Sequence, residues 1–445
     1  MGFFDRLFSA SHQPDDDSQP DIRFGRYSDS YKEKNNYQAW DIALDLFDKG
    51  DYLDSYKSFF RYLRDEKEDN VKFWEANGSI HFELYQGSKK ISGTADSIKL
   101  TAEAKVAKTE SLNVGFMRRL MEQNFDLKYG RFALDEEQNI TMVFDTYTLD
   151  GSPYKLYYAL KEVATRADKH DDLLLDEFKM LQAVDTSHLR TIPDVEKEVK
   201  YKFINSQIQT VLDEIEHGRL DKDQYPGGIA YLLLQLVYKL DYLIKPEGYM
   251  METLERIHRT YFAKDDKSTA QKNQILGREL SKLKDRPKAE FFKEMYRVTA
   301  TFGITLPVSH DRIVSVIDNE LPSMDWYLDN DYEAIALAFP SYIVSYCMFS
   351  YAAPKPDRDL FHLYFRIVDN DFFGALGYTN SYFDTETAKL NKRAIKKAIE
   401  HIVDQNREEY QRCNPNTSGL NFTSLPLFAK SYLTMIRNLD LTKIG

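Results

Sequence analysis

Hydrophobic positions along the chain follow two different periods, and the change from one to the other divides the protein. Over residues 37–63, apolar side chains recur at helical spacing on both sides of a Lys-Gly-Asp turn, which predicts a helical hairpin. Over residues 79–85 and 98–106, apolar and polar residues alternate, which predicts half-buried antiparallel strands. Beyond Pro193 the alternation disappears and helical spacing dominates. The pattern therefore predicts a mixed front part followed by a helical part.

The predicted elements of the front part come in the order helix, three strands, helix, two strands, helix. The last two strands meet at the turn 135–139, and Pro153 fits the first turn of the last helix. This order predicts an α+β fold, a helical hairpin plus a small antiparallel sheet with helices on one face, followed by an all-α domain. Residues 1–36 are polar and charged, which predicts a flexible arm. The domains are predicted at residues 37–185 and 190–445.

A short local motif adds a family resemblance to this pattern. The motif is the run Lys-Tyr-Gly-Arg-Phe-Ala-Leu-Asp-Glu-Glu that begins at Lys128, and a predicted helix precedes it. Together with the element order over residues 70–182, this motif resembles the type III secretion chaperone-like (YbjN-type) family. The resemblance implies a small protein-binding domain, often dimeric, without catalytic residues to carry over. The chain departs from the family by its front hairpin and its long helical part, so the family's class of partner is not carried over.

Charge and cysteine content narrow the classes of partner. The formal net charge is -12, which disfavours a nucleic-acid partner because such binding depends on an excess of Lys and Arg over one face. The two cysteines, Cys347 and Cys413, have no paired spacing, so neither a disulfide framework nor a structural zinc site is predicted. These features fit a cytoplasmic protein.

The first ten residues and the most apolar run of the chain bear on export and membrane insertion. Charged residues interrupt the first ten positions, so no signal peptide is predicted. The run 229–244 contains Gln235, Lys239 and Asp241 and is shorter than a membrane span requires. It is predicted to be a buried helix, and no membrane span is expected.

One pair of motifs suggests a metal-dependent enzyme in the helical part. Glu214 and His217, like Glu255 and His258, are three positions apart, which places carboxylate and imidazole on one helix face. Carboxylate di-metal bundles use two such units plus one Glu from each of two other helices. Gly218 directly after His217 signals a helix end rather than the middle of a bundle. Ordinary surface residues are therefore the favoured interpretation, and no metal or cofactor is predicted.

Other catalytic motifs are missing from the sequence. It contains no GxSxG elbow, no P-loop and no HExxH. Cys347 lies among aromatic and aliphatic residues, a setting that raises the pKa of a thiol and leaves it inert. No catalytic residue is predicted.

These observations favour a non-catalytic protein-binding adaptor or chaperone-like protein that engages its partner through the sheet of the front part. Tyr85, Thr101 and Thr141 are the candidate contact residues because the alternation turns them away from the predicted helices. A homodimer is a further expectation from the family resemblance. Two alternatives stay open, namely the metal-dependent enzyme and a structural subunit of a larger assembly. The sheet could equally be covered by the front hairpin or by the helical part.

Overall fold

The front part contains a helical hairpin, an antiparallel sheet and two further helices. The computed structural model describes residues 20–109, 114–178 and 180–443. The helices of the front part are α1 (Lys34–Asp48), α2 (Tyr52–Leu63), α3 (Val114–Asp126) and α4 (Pro153–Glu177). Its strands are β1 (Val71–Ala76), β2 (Ser79–Gln86), β3 (Lys89–Ala95), β4 (Lys99–Lys108), β5 (Arg131–Leu134), β6 (Asn139–Tyr147) and β7 (Gln182–Ala183). Short 3-10 turns occupy Asp29–Tyr31 and Thr148–Asp150.

The sheet is antiparallel and has the strand order β1-β2-β3-β4-β6-β5, with β7 added beside one end of β4. The predicted α+β class is thereby confirmed. Four strands precede α3, however, where three were predicted, because β1 and β2 form a hairpin. Its two-residue loop has Asn77 at φ 52° and Gly78 at φ 75°. Positive φ at both positions is typical of a type I′ turn, whose twist matches that of the flanking strands.

Helices α2 and α4 cover one face of this sheet. The alternating residues Ile80, Phe82 and Leu84 of β2 are buried on this face. The ring of Phe60 on α2 lies 4.6 Å from that of Phe82, and α4 crosses the middle strands with the buried Leu160. The front hairpin therefore packs on the helix side of the sheet and does not cover the opposite face.

The helical part begins at residue 190. Its helices are α5 (Asp194–His217), α6 (Pro226–Ile244), α7 (Gly248–Phe262), α8 (Thr269–Lys284), α9 (Lys288–Lys293), α10 (His310–Glu320), α11 (Met324–Asp329), α12 (Glu333–Ser350), α13 (Lys355–Val368), α14 (Asn370–Ala375), α15 (Lys392–Asn406) and α16 (Leu425–Arg437). Two-residue strands pair between them: β8 (Arg190–Thr191), β9 (Tyr296–Arg297), β10 (Leu306–Pro307), β11 (Tyr351–Ala352), β12 (Phe383–Asp384) and β13 (Lys389–Leu390). Further 3-10 turns occupy Leu321–Ser323 and Thr417–Gly419.

Two long apolar helices, α6 and α12, form the centre of the helical part. They pack along each other, and both are apolar and long enough to cross a membrane by length and composition alone. Their most apolar windows are 89% and 72% buried inside the protein. Apolar residues around the whole circumference are expected of a helix that is covered on all sides. The run 229–244 thus lies in a core helix.

The predicted flexible arm requires correction where the structure describes it, because residues 20–36 are packed against the rest of the protein. The backbone N–H of Gly25 donates to the carbonyl of Tyr242 at 2.8 Å. The guanidinium of Arg26 binds both carboxylate oxygens of Asp241, at 2.9 and 2.7 Å, and lies 4.0 Å from the ring centre of Phe349. These partners are more than 200 residues away in the chain, so the local polar composition gave no sign of them. The rest of the predicted arm lies outside the described residues.

The buried apolar residues form two clusters that correspond to the two parts, with one exception. Phe302 belongs by sequence to the helical part but is 1% exposed within the cluster of the front part. Next to it, the hydroxyl of Thr301 donates to the carbonyl of Tyr85 at 2.8 Å, and Thr299 forms a β-bridge with Gly87. The segment 298–303 therefore joins the helical part to the end of β2.

Candidate protein-binding surface of the sheet

The face of the sheet turned away from α2 and α4, here named the outer face, carries a row of aligned side chains. The strand register places Trp74, His81, Thr94, Thr101 and Asp145 side by side on five successive strands. Trp74 is 48% exposed, and its ring stacks on that of His81 with 5.7 Å between centres. The hydroxyls of Thr94 and Thr101 are 3.1 Å apart. This row, the open row, forms a surface with aromatic rings at one end and hydroxyl groups in the middle.

The charged residue at the far end of the open row, Asp145, already has ion partners. Arg131 binds the carboxylate of Asp145 at 2.7 Å, and Lys99 approaches it at 3.2 Å. The hydrogen bond from Arg131 is the main cause that lowers the pKa of Asp145. Since these charges already have partners, the aromatic end at Trp74 and His81 has more free energy to gain from a new contact.

One end of the outer face is covered, and this removes two of the three predicted contact residues. Tyr85 is 9% exposed because the ring of His188 lies 5.3 Å from its own, and Lys90 beside it pairs with Asp185 at 3.5 Å. Thr141 is 1% exposed. Tyr85 and Thr141 are therefore too buried to contact a partner in this conformation. Their alternation indicated the correct face, but both are buried there, Tyr85 against His188 of the linker between the two parts.

Strand β1 forms one edge of the sheet, and its hydrogen-bonding direction follows from a bond at its start. The N–H of Tyr85 donates to the carbonyl of Asn70 at 3.0 Å. In an antiparallel pair, hydrogen-bonded and non-hydrogen-bonded residue pairs alternate. The backbone N–H and C=O groups of Lys72 and Trp74 therefore point toward β2, and those of Val71, Phe73 and Glu75 point away from the sheet. The side chain of Arg64 already binds the carbonyl of Val71 at 3.1 Å. The N–H and C=O groups of Phe73 and Glu75 thus face the edge beside the aromatic end of the open row.

Strand β5 forms the opposite edge, and a side chain occupies it. Asn124 of α3 accepts a hydrogen bond from the N–H of Phe132 at 2.7 Å and donates to the carbonyl of the same residue at 3.3 Å. The amide side chain thus takes the place that a neighbouring strand would fill, one of the ways in which proteins protect sheet edges. Of the two edges, β1 is the better suited to accept an added strand.

The first half of the alternative metal motif lies at a helix end. Glu214 and His217 are in the last turn of α5, which stops at His217, and the imidazole is exposed to solvent. Among the described residues, no group of three or more His, Cys, Asp and Glu side chains is arranged to hold a metal ion.

The second half of that motif lies on α7, at the junction of the two parts. The carboxylate of Glu255 contacts Arg26 at 3.4 Å and Lys169 at 3.1 Å, and the Nδ1 atom of His258 lies 2.7 Å from the hydroxyl of Tyr238. Glu255 therefore holds the arm and α4 against the helical part, while His258 joins α7 to α6. The geometry gives the metal-enzyme alternative no support.

A cluster that the sequence did not single out lies behind the turn between β2 and β3. Lys89 and the hydroxyl of Ser88 both bind Asp171, each at 2.7 Å, and the N–H of Ser88 donates to Asp168 at 2.7 Å. Burial, followed by the neighbouring charge of Asp171, raises the pKa of Asp168 to about 7. Such groups occur in hydrolase sites, but Ser88, Lys89 and Asp171 are at most 3% exposed, so a substrate cannot reach them. The cluster anchors the turn to α4.

The helical part contains a second buried pair, which is also inaccessible. The Nδ1 atom of His310 lies 2.9 Å from the carboxylate of Asp357, which is 0% exposed, and the pair joins α10 to α13. Cys347 is likewise 0% exposed, and burial raises the pKa of its thiol. A surface cavity of about 670 Å³ near α15 includes Cys413 in its wall, where burial raises the thiol pKa to about 11. A thiol with such a pKa is a poor nucleophile at neutral pH.

No protein-family model and no curated protein matches the chain.

Proposed function

We propose that this protein is a non-catalytic adaptor or chaperone-like protein of the cytoplasm, which binds an extended segment of a partner protein by strand addition at β1. The observation that carries the proposal is the outward direction of the Phe73 and Glu75 backbone groups directly beside the exposed ring of Trp74. Main-chain hydrogen bonds to an edge strand supply affinity, and side-chain contacts on one face supply specificity.

The arrangement also indicates what the bound segment looks like. Every second side chain of an added strand lies on the outer face, next to Trp74 and then Lys72. An apolar or aromatic residue against Trp74 with an acidic residue two positions away suits this surface, because Lys72 is exposed with its ion partner 3.8 Å away. The covered end of the outer face lies at Tyr85, beside the start of β1, so the contact is limited to the part of β1 around Trp74.

A proline at the edge tests this proposal. The N–H of Glu75 does not point toward β2, so Glu75→Pro removes a donor from the edge and leaves the β1–β2 hydrogen bonds in place. The substitution also removes the ion pair between Glu75 and Lys57, and Glu75→Ala is the matched control for that loss. Full-length protein and both variants are used to capture partners, and the affinity of each captured partner is then measured by titration.

We expect Glu75→Pro to weaken binding at least tenfold while Glu75→Ala retains it, because only proline blocks the added strand. Trp74→Ala is expected to weaken binding of the same partner, because the aromatic contact is lost. Equal binding by the proline and alanine variants, with both proteins folded, contradicts strand addition at β1.

A further inference from the structure

Helix α15 and strand β13 before it carry a group of cations without ion partners. The group, here named the basic face, consists of Lys389, Lys392, Arg393, Lys396 and Lys397. All are exposed except the partly buried Lys396, and within the described ranges no carboxylate lies at ion-pair distance from any of them. Asp384 is the register partner of Lys389, but its carboxylate accepts the N–H groups of Glu386 and Thr387. On a protein of net charge -12, an unpaired basic group of this kind suits an acidic partner.

Two features add positive potential at the start of α15. Its first turn contains no acidic residue, so Lys392 and Arg393 lie at the helix end where the macrodipole is also positive. The guanidinium of Arg366 lies 5.0 and 5.3 Å from the ring centres of Tyr378 and Tyr382. Its Nε and Nη2 atoms are buried and have no hydrogen-bond partner among the described residues. A carboxylate brought to this end of α15 is therefore attracted by several uncompensated charges at once.

The chain itself has an acidic segment that is attached close to the basic face. Pro20 lies beside Gly377, with its Cγ atom 3.4 Å from the place of a Cβ atom on that glycine. A short loop leads from Gly377 to Tyr382, whose carbonyl accepts the N–H of Asn391 at 2.8 Å, and Asn391 caps α15. Residues 15–17 are three consecutive aspartates, three to five positions before Pro20. An extended chain covers about 3.5 Å per residue, so these aspartates stay within about 18 Å of Pro20.

We infer that the acidic segment of residues 15–17 docks on the basic face of the same chain. Exposed ion pairs are individually weak and are screened by salt, so the contact depends on several pairs acting together. Attachment at Pro20 favours it, because a tethered segment has a high effective concentration at a nearby surface. An external acidic ligand has to displace this segment before it can bind the basic face. The contact shares no residue with the β1 edge and does not rest on the proposed function.

Carbodiimide coupling of the full-length protein tests the inference, because this reagent joins a carboxylate to a lysine amine only when the two groups meet. Peptide mass spectrometry is expected to find residues 15–17 joined to Lys392, Lys396 or Lys397. The exposed ion pair between Lys355 and Glu409, at 3.0 Å, is the internal standard. Coupling of the standard without coupling of the acidic segment to the basic face overturns the inference.

A charge reversal on the basic face separates docking from random collision. Arginine does not react in this coupling, so Arg393→Glu keeps all the reacting lysines and aspartates and weakens only the attraction between them. It is expected to lower the yield of the coupled segment relative to the internal standard. Arg278→Glu is the matched control, because Arg278 is exposed on α8, has no ion partner among the described residues and gives the same change of net charge. Equal yields from the two variants contradict docking on the basic face.

A mixture of isotope-labelled and unlabelled protein identifies the source of the docked segment. Docking within one chain gives coupled peptides in which both halves carry the same label. Coupled peptides that combine a labelled half with an unlabelled half, at the frequency of random pairing, show that the segment comes from another molecule and overturn the inference.

Discussion

The two parts of the molecule bury their apolar surface in different ways. In the helical part, α6 and α12 are enclosed by other helices, and even the polar residues Gln235 and Lys239 of α6 are 7% exposed. In the front part, two helices cover one face of the sheet, and the opposite face keeps Trp74 partly in solvent. One face of the sheet is therefore left partly exposed, whereas the helical core is enclosed.

The helical part also covers one end of the sheet. Its segment 298–303 fixes the end of β2, and the linker before β8 covers Tyr85. The arm residue Arg26 is held between Asp241 and Glu255. The helical part thus closes the end of the outer face at Tyr85 and leaves the region around Trp74 accessible.

Of the changes considered, truncation of Phe302 is expected to cause the largest loss of unfolding free energy. Phe302→Ala leaves a cavity in the front core, which costs about 4 kcal/mol of unfolding free energy. Chemical denaturation followed by hydrogen exchange should show that the front strands lose protection although the substitution lies in the helical part. The control is Phe262→Ala, since Phe262 is 47% exposed. Equal effects of the two variants contradict the contact of Phe302 with the front core.

Loss of the buried arginine of the arm is expected to have the next largest effect. Arg26→Ala leaves Asp241 buried without its bidentate partner, which costs about 3 kcal/mol. The comparable surface pair, Arg297 with Asp21, serves as control, because Arg297→Ala is expected to cost less than about 1 kcal/mol. Urea unfolding of both variants measures the difference. An Arg26→Ala variant as stable as the control indicates that the arm is not fixed to the helical part.

The carboxyl group of Asp168 is expected to make the stability of the front part depend on pH. Its pKa in the folded protein is raised to about 7 by burial, above the value of 3.8 for the free side chain. Its contribution to stability is therefore complete below about pH 4 and is lost as the pH rises through 7. Asp168→Asn keeps an oxygen that can accept the hydrogen bonds from Ser88 but removes this titration.

Unfolding free energies of the natural protein and Asp168→Asn, measured from pH 4 to 8, give the contribution of Asp168 by subtraction. The difference should fall with rising pH by at most about 1.4 kcal/mol per pH unit. Burial lowers the pKa values of His170 and His362 to about 4 and 3, so the stability that these neutral imidazoles contribute is lost as the pH falls below 6.5. Both proteins contain the two histidines, so subtraction removes their contribution to the pH dependence. A constant difference contradicts the raised pKa of Asp168.

The smallest effect on stability is expected at the open row. Trp74→Ala should change the unfolding free energy by less than about 1 kcal/mol, because half of the side chain is already exposed and its main contact is the ring of His81. Thermal unfolding measures this change, and titration with a captured partner measures the loss of affinity. A large loss of stability together with unchanged affinity indicates that Trp74 is a structural residue.

Local patterns were sufficient for most of the front part. Alternation identified β2 and β4, the turn at 135–139 joins β5 to β6, and Pro153 begins α4 as predicted. Strand β1 was not predicted because Phe73 and Trp74 are adjacent and interrupt the alternation of apolar and polar residues. The Asn77-Gly78 pair was the signal for it, since this dipeptide between alternating runs is typical of a tight hairpin.

Long-range contacts account for what the sequence could not show. Tyr85 has an outward position by alternation, yet it is buried against His188, which is distant in the chain. The residues around Arg26 have the composition of a flexible segment, yet Arg26 binds Asp241, which is 215 positions away. The resemblance to chaperone-like proteins, the cytoplasmic location and the protein partner remain predictions.

Hydrogen exchange of the full-length protein with and without a bound partner tests strand addition most directly. The edge amides of Phe73 and Glu75 should exchange quickly in the free protein and become protected in the complex, together with the region around Trp74. Protection confined to the helical part, with residues 71–76 unchanged, would place the interface elsewhere and contradict binding through the sheet.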